Sequence, residues 1–162
     1  MPVFSEIDRT LRNITCKHVL SVTVILLLLS ILPSTLRAAM VSIKGDKVNL
    51  RSGPGTNYSV SWELGEGYPL KILEKKKSWL KVRDFEGDTG WVYRKLTANR
   101  PHLIVKKELV NIRKTPSTRG RIIGKANYGV VFTTIKQQSG WAKVKHDSGL
   151  VGWIKRDLLW GW

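Results

Sequence analysis

One internal offset constrains this chain more than any other feature. Residues 48–56, VNLRSGPGT, return as VNIRKTPST at residues 110–118. The offset of 62 pairs Asn49 with Asn111, Arg51 with Arg113 and Pro54 with Pro116. Without a gap it goes on to pair Gly67 with Gly129, Trp79 with Trp141, Val82 with Val144, Gly87 with Gly149, Gly90 with Gly152, Trp91 with Trp153, Arg94 with Arg156 and Leu96 with Leu158. The paired types either fix backbone geometry or fill a core, which is what a repeat keeps while the rest drifts. Two copies of one small module are expected, over residues 40–98 and 103–162, joined by residues 99–102.

A copy of roughly 60 residues is near the lower size limit for a fold with its own core. The only cysteine, Cys16, lies outside both copies, so no disulfide can brace them. The modules are therefore expected to pack on each other instead of hanging as separate beads. The chain has 28 Lys plus Arg against 12 Asp plus Glu, a net +16, and the excess runs through both modules. Such a surface favours anionic partners: nucleic acid, acidic lipid or lipopolysaccharide, or the acidic polymers of a cell wall.

Residues 1–39 read as an export segment. Arg9, Arg12, Lys17 and His18 precede an apolar run over residues 19–32, which Pro33 ends. Cleavage after Ala38 or Ala39 would leave Leu36 or Arg37 at the minus-three position, neither of them small. Two readings stay open: a cleaved signal peptide, or an uncleaved inner-membrane anchor, although the run is shorter than the about 17 to 25 residues that cross a bilayer comfortably. Cys16 precedes the run and is misplaced for a lipoprotein cysteine. Both readings put residues 40–162 in the periplasm or otherwise outside the cytoplasm, where nucleic acid is not expected as a partner. Contact with a membrane is expected only through the uncleaved segment. Removal of the segment takes four Lys/Arg and two Asp/Glu with it, leaving 16 minus 2, or +14.

The first module shows short period-2 runs: Val41 and Ile43, Val48 and Leu50, then residues 68–74 with Leu70, Ile72 and Leu73. A long loop over about residues 52–61 carries Tyr58, and Lys75, Lys76 and Lys77 form a charged loop. In residues 79–83, alternation puts Trp79, Lys81 and Arg83 on one face and Leu80 and Val82 on the other. The repeat has Trp141, Lys143 and Lys145 against Ala142 and Val144. A hairpin tip over residues 84–89 leads to a closing strand, GWVY at residues 90–93, echoed by GWIK at 152–155. Short strands with turns between them and no helical period point to a small all-β barrel. The terminal LLWGW is expected to cover the seam between modules.

VNLRSGPGT, SWLKV and GDTGWV together resemble the bacterial SH3-like domain, a five-stranded barrel found in exported envelope proteins. The second module keeps N-x-R, W-x-K-V and GWI but lacks both glycines of the first loop. The tandem arrangement ending in WIKRDLLWGW is similar to secreted two-domain proteobacterial proteins of this type. The resemblance implies two tandem barrels behind an N-terminal signal or anchor helix, and binding of peptidoglycan or peptides without catalysis. It also implies a groove between the long first loop and the charged loop, lined by Tyr58, Trp79, Trp91 and Tyr93, with Trp141 and Trp153 in the second module. A competing reading makes Trp91 and Trp153 core fillers. Position 120 is glycine where the first module has Tyr58, which favours the first module as the binder.

A rim of Lys75, Lys76, Lys77, Lys81, Arg83, Arg94 and Lys95 would hold anionic groups, unless these cations are simply solvated charge. Asp84, Glu86 and Asp88 alternate along a hairpin tip, but the second module answers with His146, Ser148 and Leu150, and no metal or other cofactor is expected. After the N-terminal segment no cysteine remains, and the two histidines, His102 and His146, lie in no Ser-His-acid context. No catalytic residue is expected. Two functions follow: a non-enzymatic, exported peptidoglycan binder, and an adaptor that takes an extended peptide of another envelope protein, with the positive field steering docking.

Overall fold

The computed structural model of the chain describes residues 39–162, so the expected signal or anchor helix lies outside the described residues, Ala39 excepted. Among the described residues no helix is long and apolar enough to cross a membrane. They form fourteen strands: β1 Met40–Ile43, β2 Val48–Arg51, β3 Val60–Leu64, β4 Pro69–Lys76, β5 Trp79–Arg83, β6 Thr89–Tyr93 and β7 Thr97–Ala98, then β8 His102–Val105, β9 Leu109–Arg113, β10 Ile122–Asn127, β11 Val131–Gln138, β12 Trp141–Lys145, β13 Val151–Lys155 and β14 Leu159–Gly161. Single 3-10 turns, Arg94–Leu96 and Arg156–Leu158, precede β7 and β14.

Two seven-stranded antiparallel sheets result, in the orders β3-β2-β6-β5-β4-β1-β7 and β10-β9-β13-β12-β11-β8-β14. Adding seven to each strand number of the first order gives the second. The offset of 62 maps β4, β5 and β6 onto β11, β12 and β13 residue for residue. Five strands per module are expected from sequence and seven are present: β3 starts at the end of the expected loop over residues 52–61, β7 has no expected counterpart, and Lys75 and Lys76, expected in a loop, form the end of β4.

Alternation builds each core. In β5, Leu80 and Val82 are fully buried and Trp79 and Lys81 half-buried, and Ala142 and Val144 repeat the pattern in β12. Leu50, Leu70, Leu80, Val82 and Val92 cluster inside the first sheet, and Leu103, Val110, Phe132, Val144 and Ile154 inside the second. Each cluster draws on strands from across its own sheet, so each sheet curls around its contents as a barrel. Phe132 is the largest of these fully buried side chains.

The two barrels fall within one compact unit. Their seam is centred on His102 at the start of β8. Ser42 of β1 donates from Oγ to the Arg100 carbonyl and lies 2.8 Å from His102 Nδ1. Thr133 Oγ1 stands 3.4 Å from the other ring nitrogen. A Cβ at Gly67 would sit 2.9 Å from the His102 ring and 3.2 Å from Val131, so the seam itself requires glycine there. Gly67 (φ 75°) and its repeat partner Gly129 (φ 78°) share a left-handed conformation, yet a Cβ on Gly129 would meet nothing within 4 Å. A ladder of rings, Tyr68, Phe85 and Tyr128, extends the seam, with centroids 6.1 and 5.2 Å apart, and the Tyr128 hydroxyl donates to Glu86.

The chain end is pinned. β14 pairs with β8 and contacts β4 of the first barrel, and the Trp162 amide donates to the His102 carbonyl at 3.1 Å. The Arg156 guanidinium donates to the carbonyls of Leu159 and Gly161 at 2.8 and 2.7 Å. All fourteen strands find hydrogen-bonded neighbours among residues 39–162.

Candidate binding groove

A groove of about 580 Å³ opens on the first barrel. Trp79 at the start of β5 and Tyr93 at the end of β6 face each other across the strands, with ring centroids 5.6 Å apart at 58°. Gly55, Thr56 and Asn57 line it from the loop after β2, Asn49 and Arg51 from β2 itself, and Lys47 and Leu96 complete it. The lining holds two cations and no carboxylate.

Arg51 shapes the loop. Its Nη1 donates to the carbonyls of Thr56 and Tyr58, at 3.2 and 2.8 Å, while the Ser52 amide donates to the Ser59 carbonyl at 3.0 Å. Tyr58 is exposed and does not line the groove; its ring lies across Gly53, where a Cβ would run into it. Tyr58 thus explains Gly53, while a Cβ at Gly55 would first strike the side-chain oxygen of Asn57, at 2.5 Å. In the second barrel, where both are missing, Arg113 makes the equivalent clamp by donating to the Gly120 carbonyl at 2.8 Å.

Trp91 and Trp153 are 9 % and 7 % exposed but belong to neither core cluster. Val92 and Ile154, their neighbours, point inward, so the tryptophans sit on the outer face of the sheet. Trp91 stands between Arg51 and Lys81 in the strand register, and Trp153 between Arg113 and Lys143. Neither is among the residues of the Trp79 groove. Aliphatic stems of long cations cover apolar rings well. Over Trp153 a third cation, Lys136, places its Nζ 5.4 Å from the ring centroid.

None of the expected rim cations lines this groove. Lys76 is directly across from Trp79, Lys81 from Trp91, and Arg83 from Lys71 and Thr89. Lys75 and Lys77 are exposed near the β4–β5 turn, and the Arg94 amide donates to the Ser78 carbonyl at 2.8 Å. The cations that do line the groove, Lys47 and Arg51, were not selected from sequence, although the pairing of Arg51 with Arg113 in the repeat was a usable signal.

On the second barrel Trp141 faces Lys155 where the first has Tyr93. It borders a hollow of about 620 Å³ on the turn side, with Lys106, Arg156 and Asp157. The second barrel thus has no aromatic pair at this position.

The three carboxylates at the hairpin tip, Asp84, Glu86 and Asp88, have oxygens within 4.8 Å of one another. Buried Asp84 is engaged in holding the turn, its Oδ1 accepting the amides of Glu86, Gly87 and Asp88 at 3.0, 2.9 and 2.8 Å. Burial, with Asp84 and Glu86 nearby, pushes the Tyr68 hydroxyl pKa well above its usual value. The hydrogen bond to Glu86 pushes Tyr128 up to about 12. Burial lowers the His102 pKa below the ordinary 6.5.

Residues 44–98 and 108–159 each match a family described as bacterial SH3 domain. A curated relative from Bacillus subtilis (strain 168), named "Putative N-acetylmuramoyl-L-alanine amidase YrvJ", is 27 % identical over 128 residues. That match covers 72 % of this chain and 24 % of the relative, so the chain spans about a quarter of that protein's length. Among solved structures, NlpC1 from Trichomonas vaginalis aligns at 16 % identity and a TM-score of 0.35, covering 79 % of this chain and 47 % of that one. A structure titled "Endolysin LysPBC5 CBD" aligns at 17 % identity and a TM-score of 0.32, covering 76 % of this chain and 93 % of that one.

Proposed function

Because the chain belongs to the bacterial SH3 domain family, with tandem copies at residues 44–98 and 108–159, we propose that it is an exported, non-enzymatic binding protein of the cell envelope. Its first barrel takes carboxylate-bearing peptide segments of peptidoglycan. The observation that carries this is the make-up of the groove: the Trp79–Tyr93 pair, with Lys47 and Arg51 and no acid in the lining. Flat rings give an extended peptide contact area at small entropic cost. The two cations supply the charge that a stem-peptide carboxylate needs, and Arg51 is already oriented by its bonds to the loop. The relative named for an N-acetylmuramoyl-L-alanine amidase adds support, since that bond joins glycan to stem peptide.

The test is co-sedimentation of residues 39–162 with lipid-free sacculi at low and moderate salt, beside Trp79→Ala. Retention is expected to survive moderate salt, and the variant should bind at least about tenfold more weakly, in line with a central aromatic contact. No sedimentation in either salt, or equal retention by a folded Trp79→Ala, rejects the wall peptide as ligand. A groove that instead takes segments of another envelope protein would show the first of these results.

A further inference from the structure

We propose that the outer sheet face of the second barrel is a docking surface for an anionic lipid bilayer. The charge of the protein is unevenly divided. Residues 103–162 hold twelve Lys plus Arg against three Asp plus Glu, whereas residues 40–98 hold eleven against seven. From Leu109 to His146 there are eight cations and no carboxylate, and strands β9 to β13 contain no Asp or Glu.

Strand register gathers four of these cations, together with Lys155, on one side. Arg113, Trp153, Lys143 and Lys136 form a row across β9, β13, β12 and β11, each directly opposite the next. Lys155 lies opposite Trp141 in the row on one side of it, and Lys145 opposite Val151 in the row on the other. Alternation keeps Lys143, Lys145 and Lys155 on this face, while Ala142, Val144 and Ile154 fill the interior. The first barrel has the same row, but its fourth member is Glu74 across from Lys81. The second barrel has Lys136 there, held over the Trp153 ring. Like charges directly across a sheet repel. A surface of negative headgroups relieves that repulsion, and each cation brought to it adds to the attraction.

The geometry favours a plane of charge over a nucleic-acid strand. The cations span four adjacent strands in two dimensions, and single-strand binders need exposed rings on which bases stack. Trp153 is 7 % exposed and is capped by Lys136, so it offers no such platform. The site is separate from the Trp79 groove and does not depend on what that groove takes.

The test is flotation of residues 39–162 with phosphatidylcholine vesicles that contain or lack phosphatidylglycerol. Lys136→Gln, Lys145→Gln and Lys155→Gln are combined in one variant; all three side chains are exposed, so the core is untouched. A control combines Lys44→Gln, Lys95→Gln and Arg100→Gln, exposed positions that remove the same charge elsewhere. Binding is expected only with phosphatidylglycerol, about 100-fold weaker in the first variant and changed by less than about fivefold in the control. Equal loss in both variants would overturn the proposal in favour of net charge alone. So would binding to neutral vesicles, or displacement from phosphatidylglycerol by single-stranded DNA at lower concentration than by free vesicles. Trp79→Ala should bind vesicles as the wild type does even if it no longer binds sacculi, which keeps the two sites distinguishable.

Discussion

Replacing Trp91 with Ala should cost the first barrel a large part of its stability, while the same change at Trp79 should cost it little. Trp91 is 9 % exposed, clamped between Arg51 and Lys81 on the outer face, whereas Trp79 is half-buried at a groove. Truncating a packed Trp costs about 3–5 kcal/mol, transfer and cavity together. At about 0.05–0.15 kcal/mol per residue, a module of roughly 60 residues has about 3–9 kcal/mol in all. Trp91→Ala therefore removes between about a third and the whole of the stability. Loss of Trp79 forfeits its ring pairing with Tyr93, about 0.5–1.5 kcal/mol, and a smaller buried area. Peptide-resolved hydrogen exchange reads the two barrels separately. In Trp91→Ala, amides of β2, β5 and β6 should lose about 3–5 kcal/mol of protection, or all of it where the barrel holds less, while β12 and β13 keep theirs. If first-barrel protection falls by less than about 1 kcal/mol, or if Trp79→Ala falls as far, the packing argument for Trp91 fails.

Two further outcomes follow. His102 has a pKa lowered by burial, so above about pH 6.5 both folded and unfolded chains hold it neutral and its stability contribution is whole. As pH falls below 6.5 the unfolded chain takes the proton first, stability declines, and the loss levels off below the folded-state pKa. The groups facing it are Ser42, Thr133 and the Arg100 carbonyl, with the Arg100, Asp147 and Glu66 charges nearby. Thermal melts between about pH 7 and 5 should show a decline that His102→Gln lacks; parallel profiles would refute the seam assignment. Asp84→Ala strips three turn amides of their acceptor and should cost about 2–4 kcal/mol in urea unfolding, with Asp84→Asn losing less. Equal, sub-kilocalorie losses in both would show that the turn holds itself.

The barrels were legible because their signal is local and doubled. The alternation of Trp79 to Arg83, repeated at Trp141 to Lys145, matches the burial of β5 and β12 residue by residue. β3 was not legible: four of its five residues are exposed at a sheet edge, Trp62 at 55 %, so no period-2 pattern marks it. The groove was half legible. Trp79 and Tyr93 were found through alternation and resemblance, while Lys47 and Arg51 reach the groove from β2 and the turn before it, strands away in sequence. Nor could sequence separate an outer buried face from the barrel interior. Trp91 and Trp153 are hidden by side chains of neighbouring strands, a matter of register, and composition carries no register.

Gly67 and Gly129 occupy matching places in the repeat and share one backbone conformation, yet they answer to different constraints. At Gly129 the demand is conformational only, and an asparagine, which tolerates the left-handed region, could take its place by drift. At Gly67 that route is closed, because any side chain would strike the imidazole of the other module. Duplication made the two positions equal, and docking one copy against the other ended that equality. Identity between repeats here records common descent, and only the seam distinguishes the glycine that remains free to change from the one that does not.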